Sequence, residues 1–121
     1  MTLKRLIPKI FYSDINVGLH FFVEGLDFKI THQDAETGES LYIIQRDTIV
    51  IQLVESDEFA KKDRPEIRIV TDDIQSFYKE VTGRDSKLLH PALNVIKKQP
   101  WGLEEFALLD ASGVCIIIQN E

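Results

Sequence analysis

The sequence predicts an α+β protein built from two βαβββ modules in tandem. Two observations carry this: the order strand, helix, then three strands runs twice along the chain, and each helix opens on an aspartate and closes near a glycine. The repeat is about 55 to 60 residues long, which is too long for a single hairpin and suits a complete supersecondary unit.

Residues 6 to 13, LIPKIFYS, read as the first strand. Asp14 is a helix N-cap, INVGLHFFVEG places Ile15, Leu19 and Phe22 at helical spacing, and Gly25 is the expected stop. LDFKITHQ is a strand, AETG a turn and ESLYIIQR another strand, and Asp47-Thr48 lead tightly into the strand IVIQLVES. The polar run SDEFAKKDRP, residues 56 to 65, reads as a linker.

The second module starts with the strand EIRIVT, followed by Asp72 and Asp73 as capping candidates and a helix over IQSFYKEVTG, with Gly83 as its stop. LNVIKKQ, LEEFALL and VCIIIQ are expected as its three further strands. The whole chain is thus read as one domain, 1–121, with module one at about 5–55, a linker at 56–65 and module two at about 66–121.

Composition limits the function classes. With 44% hydrophobic and 28% charged residues the chain reads as an ordinary soluble globular protein. A net charge of -6 argues against a nucleic-acid partner, since phosphate binding needs clustered basic residues; Lys61-Lys62 and Lys97-Lys98 are short solvated pairs. No run approaches the ~20 apolar residues of a membrane span, and MTLKRLIPKIFYSD lacks the apolar core of a signal peptide. The lone Cys115 excludes an internal disulfide, so the expected location is cytoplasmic.

Strand alternation sorts the side chains into two faces. One face, with Ile10, Tyr12, Ile51, Leu53, Ile67, Ile69, Ile116 and Ile118, is apolar and is expected to pack on the helices. The other interleaves Lys9, Gln52, Glu66, Arg68, Cys115 and Gln119 with Ile7, Phe11 and Ile117. By alternation alone this second face is either a solvated surface or the wall of a site. Glu66 and Arg68 are about 6 to 7 Å apart on it, so they either neutralise each other, with Lys9 as another partner for Glu66, or meet a ligand.

The stretches IPKIFYSDINVGLHFFVEGLDF and PWGLEEFALLDASGVCIII resemble the opening and closing elements of the vicinal oxygen chelate superfamily: glyoxalase I, bleomycin-resistance proteins and extradiol dioxygenases. The chain departs from that pattern at Phe22, where Tyr is usual, at Asp27, where Gly is usual, and at Ala111-Ser112, which replace Pro-Asp. The resemblance implies that the paired modules form an open, cup-shaped mixed β-barrel with helices outside, commonly in a homodimer. It also implies that the mixed face lines the cup.

Metal-dependent members of that superfamily hold the ion with His or Glu at positions that here read Ile7, Gln52, Glu66 and Ile117. Two isoleucines offer no lone pair, and one carboxylate with one amide falls short of the three or four donors such an ion needs. His20, His32 and His90 are expected as surface or packing residues. The resemblance is therefore closest to the bleomycin-resistance members, and it implies a dimeric, metal-free protein that sequesters a small organic ligand, with no cofactor.

Lys9, Phe11, Gln52, Glu66, Arg68, Trp101 and Cys115 are the expected ligand-binding residues, with Trp101 either closing over a flat ligand or plugging a hinge or dimer contact. Two other readings stand beside this one. The first is a glyoxalase-like isomerase or lyase that uses Glu66 as base, provided burial raises its pKa, with an atypical metal or none. The second is an interaction module whose cup is filled by Ile7, Phe11 and Ile117.

Overall fold

A computed structural model describes residues 1–34 and 40–121. The expected turn AETG lies at residues 35–38, outside the described residues. The chain divides into two compact units, Met1–Asp63 and Arg64–Glu121. Each is an α+β unit with one four-stranded mixed sheet.

The first unit contains β1 (Lys9–Tyr12), α1 (Ile15–Leu19), a π-helical turn (His20–Gly25), β2 (Lys29–Asp34), β3 (Leu41–Arg46), β4 (Ile49–Glu55) and a short helix α2 (Asp57–Ala60). Its sheet has the order β1-β4-β3-β2, with β1 parallel to β4 and the other pairs antiparallel. The Asp14 side chain accepts from the Asn16 amide, as expected of an N-cap, and the Glu55 carboxylate at the end of β4 accepts from the Ile15 amide at 2.9 Å.

The helical segment ends at Gly25, as expected, but it closes by a different device. It widens into a π turn, and Asp27, not glycine, takes the left-handed conformation, φ 58°. The Phe28 amide then donates to the Phe22 carbonyl at 2.9 Å, one residue wider than the usual helix-closing bond because the last turn is itself wide. Phe22 is fully buried and packs edge-on against Phe21 and Phe28, with centroids 4.9 and 5.4 Å away, an environment suited to phenylalanine. Gly18 faces the Tyr12 ring so closely that a Cβ there would lie 2.5 Å from Cε2.

The stretch expected as linker is not wholly irregular. Ser56 caps α2, accepting from the Phe59 amide, and Lys61 pairs with Asp57 at 2.8 Å. Asp47 turns the β3–β4 hairpin at φ 52°, with Arg46 opposite Ile49.

The second unit repeats the arrangement. It contains β5 (Glu66–Thr71), α3 (Ile74–Asp85), a 3₁₀ turn (Ser86–Leu88), β6 (Lys97–Lys98), β7 (Glu104–Leu109) and β8 (Cys115–Asn120). The sheet order is β5-β8-β7-β6, with β5 parallel to β8 and the other pairs antiparallel. Asp73 is the N-cap of α3, and its hydrogen bonds from the Ser76 hydroxyl and amide hold its carboxyl below the usual carboxylate range.

Two expectations need correction here. Gly83 lies inside α3, which runs on to Asp85, and does not cap it. LNVIKKQ pairs as a strand only at Lys97–Lys98, because a turn from His90 to Leu93 interrupts the ladder before it. The neighbouring hairpins are regular: Pro100-Trp101-Gly102 and Ala111-Ser112-Gly113 are three-residue loops, each ending on a glycine near φ 97–98°. Asp110 Oδ1 holds the second loop by accepting from Ser112 N, Ser112 Oγ and Val114 N.

The expected apolar face is the core face in both units. Ile10, Tyr12, Ile51 and Leu53 are buried in the first, and Ile116 and Ile118 in the second, where Phe106 meets the Tyr78 ring of α3 at 5.0 Å. Among the described residues no helix is long and apolar enough to cross a membrane.

Candidate functional site

In the first unit β1 and β4 place Lys9 directly beside Gln52 in parallel register, and Phe11 beside Val54. The Lys9 ammonium lies 5.8 Å from the Phe11 ring centroid. Phe11 also meets Phe59 of α2 at 5.1 Å, with Lys62 Nζ 4.8 Å above the Phe59 ring. These residues form a small aromatic and cationic patch on the mixed face of that sheet.

In the second unit the mixed face forms an open pocket of about 300 Å³. Its floor is the sheet itself: Cys115 and Ile117 on β8 and Ala107 on β7, with Ile117 directly opposite Ala107. Glu66 on β5, directly beside Cys115, forms one wall. The segment from His90 to Gln99, which runs along the far side of β7, forms the other with His90, Leu93, Lys97 and Gln99. That segment is attached through His90 N to Ala107 O and Ala107 N to Leu93 O, both 2.9 Å.

The polar groups around this pocket are in two different conditions. The Arg68 side chain is committed, because Nη1 donates to Glu105 Oε2 at 2.8 Å and to Gln119 Oε1 at 3.1 Å. Gln99 Nε2 donates to the other oxygen of Glu105 at 3.0 Å. The carboxylate of Glu105, 4% exposed, is thereby satisfied on both sides. Glu66 and Lys97, by contrast, form no ion pair and no side-chain hydrogen bond among the described residues. Of the two readings of Glu66 and Arg68, the neutralising pair is not made, because Arg68 has the more buried carboxylate of Glu105 to satisfy.

His90 is fixed by its neighbour. Its Nδ1 accepts from the Ala92 amide at 3.0 Å, so in the neutral ring the proton is on Nε2. Cys115 is partly buried, and burial pushes its thiol above the ordinary pKa. The nearby negative charge of Glu66 adds to that rise, while Arg68 opposes it.

The sequence-predicted residues thus fall into two groups. Lys9, Phe11 and Gln52 come together in the first unit, and Glu66 and Cys115 in the pocket of the second. Arg68 is on the same sheet face but is held by Glu105. Trp101 is 61% exposed at the β6–β7 turn and does not line the pocket. Sequence reasoning missed Glu105, His90, Lys97 and Gln99.

The residues at the positions where the resemblance implies metal ligands do not fit an ion: Ile117 on the sheet floor and Ile7 ahead of β1 have no lone pair to offer, Gln52 is a neutral amide, and Glu66 is the one carboxylate of the set. Among the described residues no three His, Cys, Asp or Glu side chains are grouped so as to hold an ion. Glu66 is solvent-exposed at the start of β5.

Comparison with known proteins now adds the fold. The chain matches no family model and no curated protein. Solved structures, however, match it end to end. A bleomycin-binding protein complexed with bleomycin has 20% identity and a TM-score of 0.78, over 98% of this chain and 99% of that one. The bleomycin-binding protein from Streptomyces verticillus, complexed with copper(II)-bleomycin, has 17% identity and a TM-score of 0.77, over 100% and 98%. A glyoxylase/bleomycin resistance protein/dioxygenase domain from Frankia sp. EAN1pec has 14% identity and a TM-score of 0.76, over 98% and 93%. The chain shares its fold with these bleomycin-binding and glyoxylase/bleomycin resistance protein/dioxygenase structures.

Proposed function

We propose that this protein is a metal-free, small-molecule-binding protein of the glyoxalase/bleomycin-resistance type, which acts by holding its ligand and not by converting it. The observation that supports this most is the pocket of the second unit: an apolar floor of Ala107, Cys115 and Ile117 between walls bearing Glu66, His90 and Lys97. Such a site can orient an organic ligand with a few polar contacts. It offers neither the donor set for a metal that polarises substrate oxygens nor a buried base. Glu66, Cys115, His90 and Lys97 are its ligand contacts. Lys9, Phe11 and Gln52 on the mixed face of the first unit form a second set of groups suited to an aromatic or polar ligand. A homodimer in the cytoplasm is the assembly and place we propose for it.

Calorimetric titration in the presence of EDTA, with metal-free bleomycin, spermidine and the tripeptide Gly-Leu-Gly as separate probes, tests the reading. Saturable binding of any of them in EDTA supports it. Binding that appears only when EDTA is replaced by a divalent ion replaces it with a metal-dependent site. Sedimentation at the same concentrations reads the dimer.

A further inference from the structure

The pocket's charges are arranged with a sign and a spacing. The guanidinium of Arg68 is cancelled by Glu105, and the amide donor of Gln99 is directed to the same carboxylate. Two full charges of opposite sign remain uncommitted among the described residues, the carboxylate of Glu66 and the ammonium of Lys97. His90 adds a neutral donor on the Lys97 side, since the Ala92 amide occupies its Nδ1 and leaves the proton on Nε2.

These groups stand on opposite walls. Glu66 on β5 is beside Cys115, which is opposite Leu109 on β7, whereas Lys97 on β6 is opposite Glu105. From Glu105 to Leu109 is about 13 Å along the strand, and from β5 to β6 is three strand spacings, about 14 Å. Their Cα atoms are therefore about 19 Å apart, and side chains extended toward each other over the floor would bring their charges to on the order of 10 Å. They are too far apart to pair with each other, and the floor between them, Ala107 and Ile117, is apolar and buried.

We infer that the pocket takes an extended zwitterion, with an ammonium group seated on Glu66, a carboxylate between His90 and Lys97, and an apolar spacer lying over Ala107 and Ile117. A short peptide with free ends is the simplest molecule of that class. This inference rests on the small-molecule reading above and narrows it to a ligand class. It also accounts for why Glu66 stays unpaired with Arg68 two residues away: the network with Glu105 reserves the carboxylate for the ligand.

Alkylation of Cys115 by iodoacetamide is the test, because this thiol lies on the pocket floor and is the chain's only cysteine. The rate is measured by mass spectrometry with Gly-Leu-Gly, its N-acetyl form and its C-terminal amide, each up to about 10 mM, where a millimolar site is mostly filled. The free peptide protects Cys115 saturably, and each blocked form needs at least about tenfold more for equal protection, the worth of one charge-assisted contact. In Glu66→Gln the free and N-acetyl forms become alike, and in Lys97→Met the acid and the amide become alike. Each variant is compared with itself without peptide, and its thermal melting confirms that it folds. Equal protection by all three forms overturns the inference, as does absence of protection by the free peptide. If metal-free bleomycin protects Cys115 in that last case, the small-molecule reading survives; if nothing protects, both fall.

Discussion

Arg68 and Glu105 meet at 2.8 Å although β8 lies between their strands, so the guanidinium reaches over Gln119 to a carboxylate that is almost wholly buried. This contact commits the Arg68 charge to the fold and leaves Glu66 without a side-chain partner among the described residues.

Removing Arg68 leaves the Glu105 carboxylate with Gln99 as its remaining donor in the network. Arg68→Ala is expected to cost about 1–3 kcal/mol in urea denaturation, the penalty of a buried charged acceptor that loses its strongest donor. Glu105→Gln, which removes the charge that demands a partner, costs less. A variant Arg68→Ala of unchanged stability that no longer binds ligand would show instead that Arg68 serves the ligand and not the fold.

Two glycines predict opposite signs for the same substitution. At Gly18 the new methyl group would meet the Tyr12 ring, itself fully buried, so Gly18→Ala is expected to destabilise by about 1–3 kcal/mol. At Gly83, inside α3, nothing lies within 4 Å of the new Cβ, and Gly83→Ala is expected to stabilise by about 0.5–1 kcal/mol. Chemical denaturation of both variants beside the parent protein checks the pair.

The loop between β7 and β8 depends on one carboxylate. Asp110→Ala removes the acceptor of three hydrogen bonds from Ser112 and Val114, and a loss of about 1–3 kcal/mol is expected. Asp110→Asn, which keeps an acceptor oxygen, recovers part of it. A fully stable Asp110→Ala protein would contradict this account of the turn.

The thiol of Cys115 titrates above the ordinary range through burial first and the Glu66 charge second. Glu66→Gln removes the second cause only. The pKa should then fall, the thiolate fraction at pH 8 should rise, and alkylation should quicken at that pH while converging with the parent at high pH. A pH–rate profile displaced upward, or unmoved, would contradict the assigned proximity.

Much of this was legible in the sequence because a two-residue period sorts faces without knowledge of partners. Glu66 and Cys115 were assigned to one face in that way, as were the core positions Ile10, Leu53, Ile116 and Ile118. What alternation lacks is register. Glu104 and Glu105 are adjacent and face opposite ways, and only the loop from Ala111 to Gly113, which sets Leu109 against Cys115, decides that Glu105 meets Gln119 and Arg68. Counting back from that turn was the available signal. His90, Lys97 and Gln99 were harder, since their segment has no period: it is held by isolated backbone bonds to Ala107 and by the hydroxyl of Tyr78 on the Asn94 carbonyl. The π turn before Asp27 was likewise invisible, because Gly25 reads as an ordinary helix stop.

The central claim is a pocket that works without a metal, and thermal melting of chelator-stripped protein with Ni²⁺, Zn²⁺, Mn²⁺ and Fe²⁺, parent beside Glu66→Ala, tests it most directly. An ion present at a hundred times its dissociation constant would add about 2.7 kcal/mol, or a few degrees in a domain of this size. The account predicts no such shift in either protein. A shift of that order in the parent, absent in Glu66→Ala, would contradict it and make Glu66 a metal ligand.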